Sequence, residues 1–148
     1  MSNKIYRATS VILWILTASL IFFLSHQTGE ESSKSSGSMM LFLEQVFKTN
    51  ISESFVRNAA HFTEFMILGF STINLSFSFK GYLTPFKAAL YGSLYAVTDE
   101  IHQIFIPKRA CEFKDFLVDT AGVIAGVLIF TLIHIILTKY IKEREKLR

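Results

Sequence analysis

Ionisable side chains recur inside the apolar segments of this 148-residue chain. Their types are those that transfer protons, bind anions or hold a metal ion. They form three groups near the ends of three apolar segments: Arg57, His61 and Glu64; Asp99, Glu100 and His102; and Asp115 and Asp119. A charged residue at the centre of a membrane helix costs about 2.5–3.5 kcal/mol on insertion scales, so such residues usually pair or face a polar cavity. We therefore expect these groups to converge on one site.

Acid–base chemistry is one use of such a set. Burial raises the pKa of a carboxyl group and a nearby arginine lowers it, so neighbouring groups can act as proton donor and acceptor. The candidate catalytic residues are Asp99 or Glu100 as the base and His61 or His102 as the acid. Whether the protein is an enzyme stays open at this stage.

Anion binding is the second use. Arg57 and Arg109 flank the apolar segments, and a guanidinium group can bind a phosphate or carboxylate through two parallel hydrogen bonds. Histidines and carboxylates can also bind a divalent metal. No compact ligand motif is present, however, and we predict neither a metal nor a cofactor. The predicted ligand-binding residues are Arg57, His61, Glu64, Asp99, Glu100, Gln103, Arg109, Asp115 and Asp119.

The composition, 51% hydrophobic and 14% aromatic, is typical of a small integral membrane protein. Four apolar stretches, at about residues 8–25, 59–79, 86–106 and 116–138, each reach the length that crosses roughly 30 Å of hydrocarbon. They predict a single all-α domain over residues 1–148, an up-down bundle of four transmembrane helices. Lys4 and Arg7 before the first stretch also fit a signal peptide, but no typical cleavage site follows, which favours a retained helix.

The connection after the first helix divides into two parts. Gly29 to Ser38 is polar and rich in serine, which predicts a mobile loop. Met39 to Phe47 is apolar but too short to span, which predicts a short interfacial or re-entrant helix in the first extracytoplasmic loop. The later connections, 80–85 and 107–114, are short, so the helices they join should be antiparallel.

The distribution of basic residues predicts the orientation. With the N-terminus inside, nine Lys and Arg residues flank the cytoplasmic side and six the opposite side. This bias places both termini in the cytoplasm. Basic residues that flank apolar helices point to membrane topology and not to nucleic acid, which we do not expect as a partner.

This topology brings the polar groups into one leaflet. Arg57, His61 and Glu64 fall on one helix face at about 100° per residue. Asp115 and Asp119 share a face with Gly122 and Gly126, whose G-x-x-x-G spacing predicts close helix packing.

A purely structural role is the alternative to a binding or catalytic site. In that case Arg57 with Asp115, or Arg109 with Glu64, would be ion pairs that hold the bundle together.

At these residues the chain resembles the VanZ-like family of bacterial membrane proteins. The resemblance covers nearly the whole chain except Gly29 to Asn50. The most specific block is a D-E-x-H-Q sequence followed by a proline, an arginine and a D-x-x-x-[ND]-x-x-G-x-x-x-G pattern. The matching positions are Ser25 and Gln27; Arg57, His61 and Glu64; Asp99, Glu100, His102 and Gln103; Pro107 and Arg109; and Asp115, Asp119, Gly122 and Gly126.

The resemblance implies a multi-pass protein of the bacterial inner membrane and cell envelope. The family takes its name from a glycopeptide-resistance accessory protein that lowers sensitivity to teicoplanin. Our first hypothesis is an outward-facing polar pocket that binds a lipid-linked cell-wall precursor or an amphiphilic glycopeptide, with membrane lipids as further partners. The second is an intramembrane hydrolase or transferase acting on a lipid-phosphate or lipid-linked sugar. The oligomeric state is left open.

Overall fold

The computed structural model describes residues 3–146. Within that range the fold is entirely helical, which confirms the predicted all-α class. The five helices are α1 (Asn3–Ser25), α2 (Gly29–Phe47), α3 (Glu53–Lys80), α4 (Pro85–Gln103) and α5 (Phe113–Lys146).

Helix α2 corrects the prediction of a mobile loop after Gly29. A capping box begins this helix: Thr28 Oγ1 accepts from the Glu31 backbone N–H, and the Glu31 carboxylate accepts from the Thr28 backbone N–H. Such reciprocal capping satisfies backbone donors that the first turn leaves free, and it outweighs the loop preference of the serine run. The predicted short helix from Met39 is thus the second half of a longer helix.

The other helix ends also differ from the predicted segments. Helix α3 begins earlier than expected, where Ser52 Oγ accepts from the Phe55 backbone N–H at 3.2 Å, and it ends at Gly81 with φ 74°. Helix α4 ends at Gln103, before the predicted boundary at 106, because the backbone turns through residues 104–107.

Contacts between side chains define how the helices run. Tyr6 donates to Asn74 at 2.7 Å, so the start of α1 lies beside the end of α3, and the two helices are antiparallel. Phe65 packs against Tyr95 in the middle of α3 and α4, and Ser76 near the end of α3 hydrogen-bonds to Thr84 just before α4 at 2.7 Å, so these two helices are antiparallel as well. Helices α3 and α5 run parallel in the most extensive helix–helix contact of the fold. Leaving α2 aside, the chain follows an up-down path.

Three glycines permit the close approach of α3 and α5. A Cβ at Gly122 or Gly126 would overlap the carbonyl oxygen of Phe62 or Met66 on α3. A Cβ at Gly69 would likewise overlap the Val123 carbonyl on α5. The sequence motif at 122 and 126 thus sits at a backbone contact, and Gly69 supplies its counterpart on the facing helix.

Two of the described helices, α1 and α5, are long and apolar enough to cross a membrane, with mean hydropathies of 2.1 and 2.4. Helices α3 and α4 do not meet the same standard, since both carry the polar residues that face the interior. Four spanning helices therefore remain a prediction. The apolar core lies between the helices and contains Ile21, Phe65, Leu68, Ile73, Val123 and Val127.

Candidate functional site

A cavity of about 210 Å³ lies where the end of α1 meets α2 and the first half of α3. Its wall is polar on the α2 side and ionisable on the α3 side. Arg109, from the connection between α4 and α5, completes it. The lining residues are Leu24, Ser25 and Gln27; Ser32, Ser35, Ser36 and Met39; Val56, Arg57, Ala60, His61 and Glu64; and Arg109.

The two arginines of this cavity have donors that the protein does not satisfy. Arg109 Nη2 donates to the Leu24 carbonyl oxygen at 3.4 Å, but its buried Nε and Nη1 have no hydrogen-bond partner among the described residues. Arg57 Nη2 lies 3.6 Å from Asp115 Oδ2, and its buried Nε is likewise without a partner. Burial, and then the nearby Arg57, lower the pKa of Arg109 from its ordinary value. An anion beside the two side chains would supply the missing hydrogen-bond acceptors and offset the two positive charges.

A second hydrogen-bonded group lies behind the cavity, between α1 and α4. Ser25 Oγ donates to Asp99 Oδ2 at 2.9 Å. Gln103 Nε2 donates to the same Asp99 oxygen at 3.0 Å and to Ser25 Oγ at 3.1 Å. All three side chains are buried, so Asp99 is held in a fixed orientation.

The imidazole of His61 connects the cavity with the buried acids. His61 lines the cavity, and its Nδ1 lies 3.4 Å from Asp119 Oδ1, which is fully buried. Carboxylate oxygens of Asp99, Glu100 and Asp119 all lie within 4.8 Å of one another. Glu100 is further held by the backbone N–H of Glu112, which donates to Glu100 Oε2 at 2.9 Å.

The structure brings together most of the predicted site residues. Arg57, His61, Glu64 and Arg109 line the cavity, while the other predicted acids and Gln103 lie around or behind it. Arg57 pairs with Asp115, as the structural alternative suggested. No ion pair joins Arg109 to Glu64 among residues 3–146.

His102 is the member that stands apart. Its ring stacks on Phe22 with centroids 4.8 Å apart and on His26 with centroids 5.4 Å apart. His102 Nε2 lies 3.3 Å from His26 Nδ1, and neither residue lines the cavity. As a candidate acid His102 is therefore less well placed than His61.

The residues that sequence reasoning missed are on α2. Ser32, Ser35, Ser36 and Met39 form one side of the cavity, and their spacing of three and four residues is that of one helix face. This spacing was available in the sequence, but it carries meaning only once the segment is known to be helical.

The fold and the buried polar site define an all-α protein with two described helices suited to a membrane, α1 and α5. A family model described as VanZ/LLP1 matches residues 10–134. That match spans most of the chain, and the chain belongs to the VanZ/LLP1 family. No curated protein and no solved structure is significantly similar to it.

Proposed function

We propose that this VanZ-like protein binds the phosphate-bearing headgroup of a lipid-linked cell-wall precursor in the cavity between α1, α2 and α3. The observation that carries the proposal is a pair of half-buried arginines, Arg57 and Arg109, with buried N–H groups that have no partner among the described residues. Guanidinium groups bind phosphate oxygens strongly, and a buried donor without a partner costs about 1–3 kcal/mol. A phosphate between Arg57 and Arg109 would satisfy these donors and separate two like charges.

The surroundings of Glu64 support a ligand with both a polar and an apolar part. A second, mainly apolar cavity of about 160 Å³ lies between α1 and α3 and is lined by Leu16, Thr17, Leu20, Ile21, Glu64 and Ile67. Glu64 lines both cavities. The headgroup would occupy the polar cavity while the first carbons of the lipid chain lie in the apolar one.

Apolar side chains on the outside of α3 and α4 support a multi-pass arrangement. Ile67 on α3 is 45% exposed, and Leu90, Leu94 and Ile101 on α4 are 47%, 52% and 51% exposed. Large exposed apolar surfaces mark contacts with lipid or with partners. In our proposal α1, α3, α4 and α5 cross the inner membrane, both termini are cytoplasmic, and the cavity opens toward the outer leaflet.

Native mass spectrometry of the purified protein tests the binding proposal. A polyprenyl phosphate should bind, and the uncharged polyprenol of the same length should bind at least tenfold more weakly. Arg109→Gln should remove the preference for phosphate. Arg7→Gln is the matched control, because Arg7 lies at the opposite end of the bundle, where its Nε donates to the Ser78 carbonyl at 3.1 Å. Equal binding of phosphate and alcohol would reject the proposal.

An amphiphilic glycopeptide is the other ligand we propose for this cavity, and its binding would contribute to glycopeptide resistance. Such a ligand combines an apolar chain with charged groups, and only those two parts of it would enter the pair of cavities. Deleting the gene and restoring it with the Arg109→Gln variant should leave teicoplanin sensitivity raised, whereas the Arg7→Gln variant should restore resistance. Unchanged sensitivity on deletion would remove the resistance role alone.

The contact of His61 with Asp119 favours a second candidate function, an intramembrane hydrolase or transferase. A carboxylate beside Nδ1 orients an imidazole and supports its use as a general acid or base. Because His61 lines the cavity, its ring is available to a lipid-phosphate or lipid-linked sugar. Incubation with such substrates should give a product that is lost in His61→Gln but retained in Arg7→Gln. Absence of product from all of these substrates would leave the binding function alone.

A further inference from the structure

Three carboxylates on two helices converge behind the cavity. Asp99 and Glu100 on α4 and Asp119 on α5 each offer an oxygen, and the three oxygens lie within 4.8 Å of one another. Their residues are 4%, 3% and 0% exposed. None of the three pairs with a lysine or arginine within the described part of the chain, where His61 is the one ion-pair partner of the group. The group therefore brings three acids together with no lysine or arginine paired to them among the described residues.

The polar atoms of this group are also incompletely bonded. Among the described residues, Oδ2 of Asp119 and Oε1 of Glu100 are buried without a hydrogen-bond partner, while Oδ1 of Asp119 has only the His61 contact at 3.4 Å. Buried polar atoms are nearly always satisfied, so atoms of this kind indicate a missing partner.

Gln103 provides an independent indication. Gln103 is 0% exposed. Its Nε2 donates to Asp99 Oδ2 at 3.0 Å, so the amide lies against one of the three acids. The carbonyl oxygen of the same amide, Oε1, is buried and accepts no hydrogen bond from any residue between 3 and 146. An amide oxygen is a common ligand for hard cations.

From this arrangement we propose that Asp99, Glu100 and Asp119, with the Gln103 amide oxygen, bind a divalent cation of the Ca²⁺ or Mn²⁺ kind. Carboxylate and carbonyl oxygens suit such ions. With metal–oxygen distances of 2.3–2.6 Å for Ca²⁺, ligands on opposite sides of one ion lie about 5 Å apart, which fits the observed limit. The hydrogen bond from Ser25 to Asp99 would orient one ligand from outside the first coordination sphere.

The proposed cation site is connected to the cavity through His61. His61 contacts Asp119 on one side and lines the cavity on the other. A cation bound to the three acids would offset their negative charge, which would otherwise oppose an anionic headgroup in the cavity. Cation binding does not rest on the proposed function, because the ligand atoms are all supplied by the protein.

Manganese binding to the full-length protein tests the proposal by electron paramagnetic resonance. The protein is held in a phosphate-free maltoside detergent without added lipid, and Mn²⁺ is titrated. We expect one saturable Mn²⁺ per chain that Ca²⁺ displaces. Asp119→Asn and Glu100→Gln should each weaken Mn²⁺ binding at least tenfold. Glu53 is an exposed carboxylate at the start of α3, and Glu53→Gln should not change Mn²⁺ binding.

The temperature of thermal unfolding is a second measure of Mn²⁺ binding, and it also shows whether each variant is folded. Added Mn²⁺ should raise the unfolding temperature of the native chain, because the ion binds only the folded state. Asp119→Asn should gain nothing from added Mn²⁺. Absence of a saturable site in the native protein, or equal Mn²⁺ binding by Asp119→Asn, would overturn the cation site. Arg109→Gln should keep full Mn²⁺ binding, which separates this site from the anion proposal.

Discussion

Ser25 Oγ donates a hydrogen bond to Asp99 Oδ2 at 2.9 Å, across 74 positions of the chain. The serine is the last residue of α1, and the aspartate lies in the last turns of α4. The same hydroxyl accepts from Gln103 Nε2, so one small side chain serves two buried polar groups. The ends of α1 and α4 are thereby fixed beside the cavity.

Replacing Ser25 should therefore be costly. In Ser25→Ala, Asp99 loses a donor and Gln103 loses an acceptor, and a buried polar group left without its partner costs about 1–3 kcal/mol. We expect a lower free energy of unfolding in detergent, measured by denaturant titration with circular dichroism. The control is Ser38→Ala on α2, an exposed serine whose hydroxyl bonds only within its own helix. An equal effect of the two substitutions would show that the buried network contributes nothing specific.

The contact between α3 and α5 should not tolerate a methyl group. In Gly126→Ala the new Cβ would overlap the Met66 carbonyl oxygen, which belongs to rigid helix backbone. Overpacking of this kind typically costs about 1–3 kcal/mol. Thermal unfolding of the purified protein should show the loss.

Gly37→Ala is the control for this prediction, and it should not lower the stability of the protein. Gly37 lies within α2 and has open space at its Cβ position. Alanine is favoured over glycine in a helix by up to about 1 kcal/mol, so this variant should be as stable as the native chain or more so. Similar losses at 37 and 126 would contradict the packing explanation.

The capping box of α2 should respond to acid. Backbone and side-chain hydrogen bonds from Thr28 lower the pKa of Glu31. A carboxyl group whose pKa is lower in the folded state stabilises that state above its unfolded pKa, and this contribution is lost as the pH falls through the folded pKa. We expect the protection of amides in the first turns of α2, measured as exchange rates relative to the intrinsic rate at each pH, to decrease as the pH falls below the ordinary range of glutamate.

Glu31→Gln is the matched variant for this measurement. Glutamine keeps an oxygen that accepts from the Thr28 N–H but does not titrate, so the acid dependence should disappear while α2 persists at neutral pH. An identical pH dependence in the variant would assign the effect to another group.

The single cysteine tests the orientation of the chain. Cys111 is exposed in the connection between α4 and α5, which our topology places outside the cytoplasm. Partial desolvation and then Glu100 raise the pKa of its thiol, so labelling should be done at mildly alkaline pH. A membrane-impermeant maleimide should label Cys111 in intact cells.

The control moves the cysteine to the other side. In a Cys111→Ser chain with Lys142→Cys near the end of α5, labelling should require permeabilised cells. Labelling of Lys142→Cys but not of Cys111 in intact cells would reverse the orientation and place the cavity on the cytoplasmic side.

Helical periodicity in the sequence predicted which residues of α3 share a face. Arg57, His61 and Glu64 line one cavity because residues three and four apart share a helix face. The same rule could not show that His102 lies outside the cavity. His102 is three residues from Asp99 along α4, which suggested that the two belong to one site. Which of the two faces the interior depends on how α4 is rotated against α1 and α5.

Local chemistry in the sequence thus determined the helical fold class, the four apolar stretches, and the types of residue available to the site. These properties depend on hydrophobic content and on spacing along one helix. The tertiary structure decided the pairing of Ser25 with Asp99, the carboxylate group on α4 and α5, and the position of α2 beside the cavity. Each of these depends on the rotation and crossing of whole helices. For α3 and α5 the glycines at 69, 122 and 126 permit the close backbone contact.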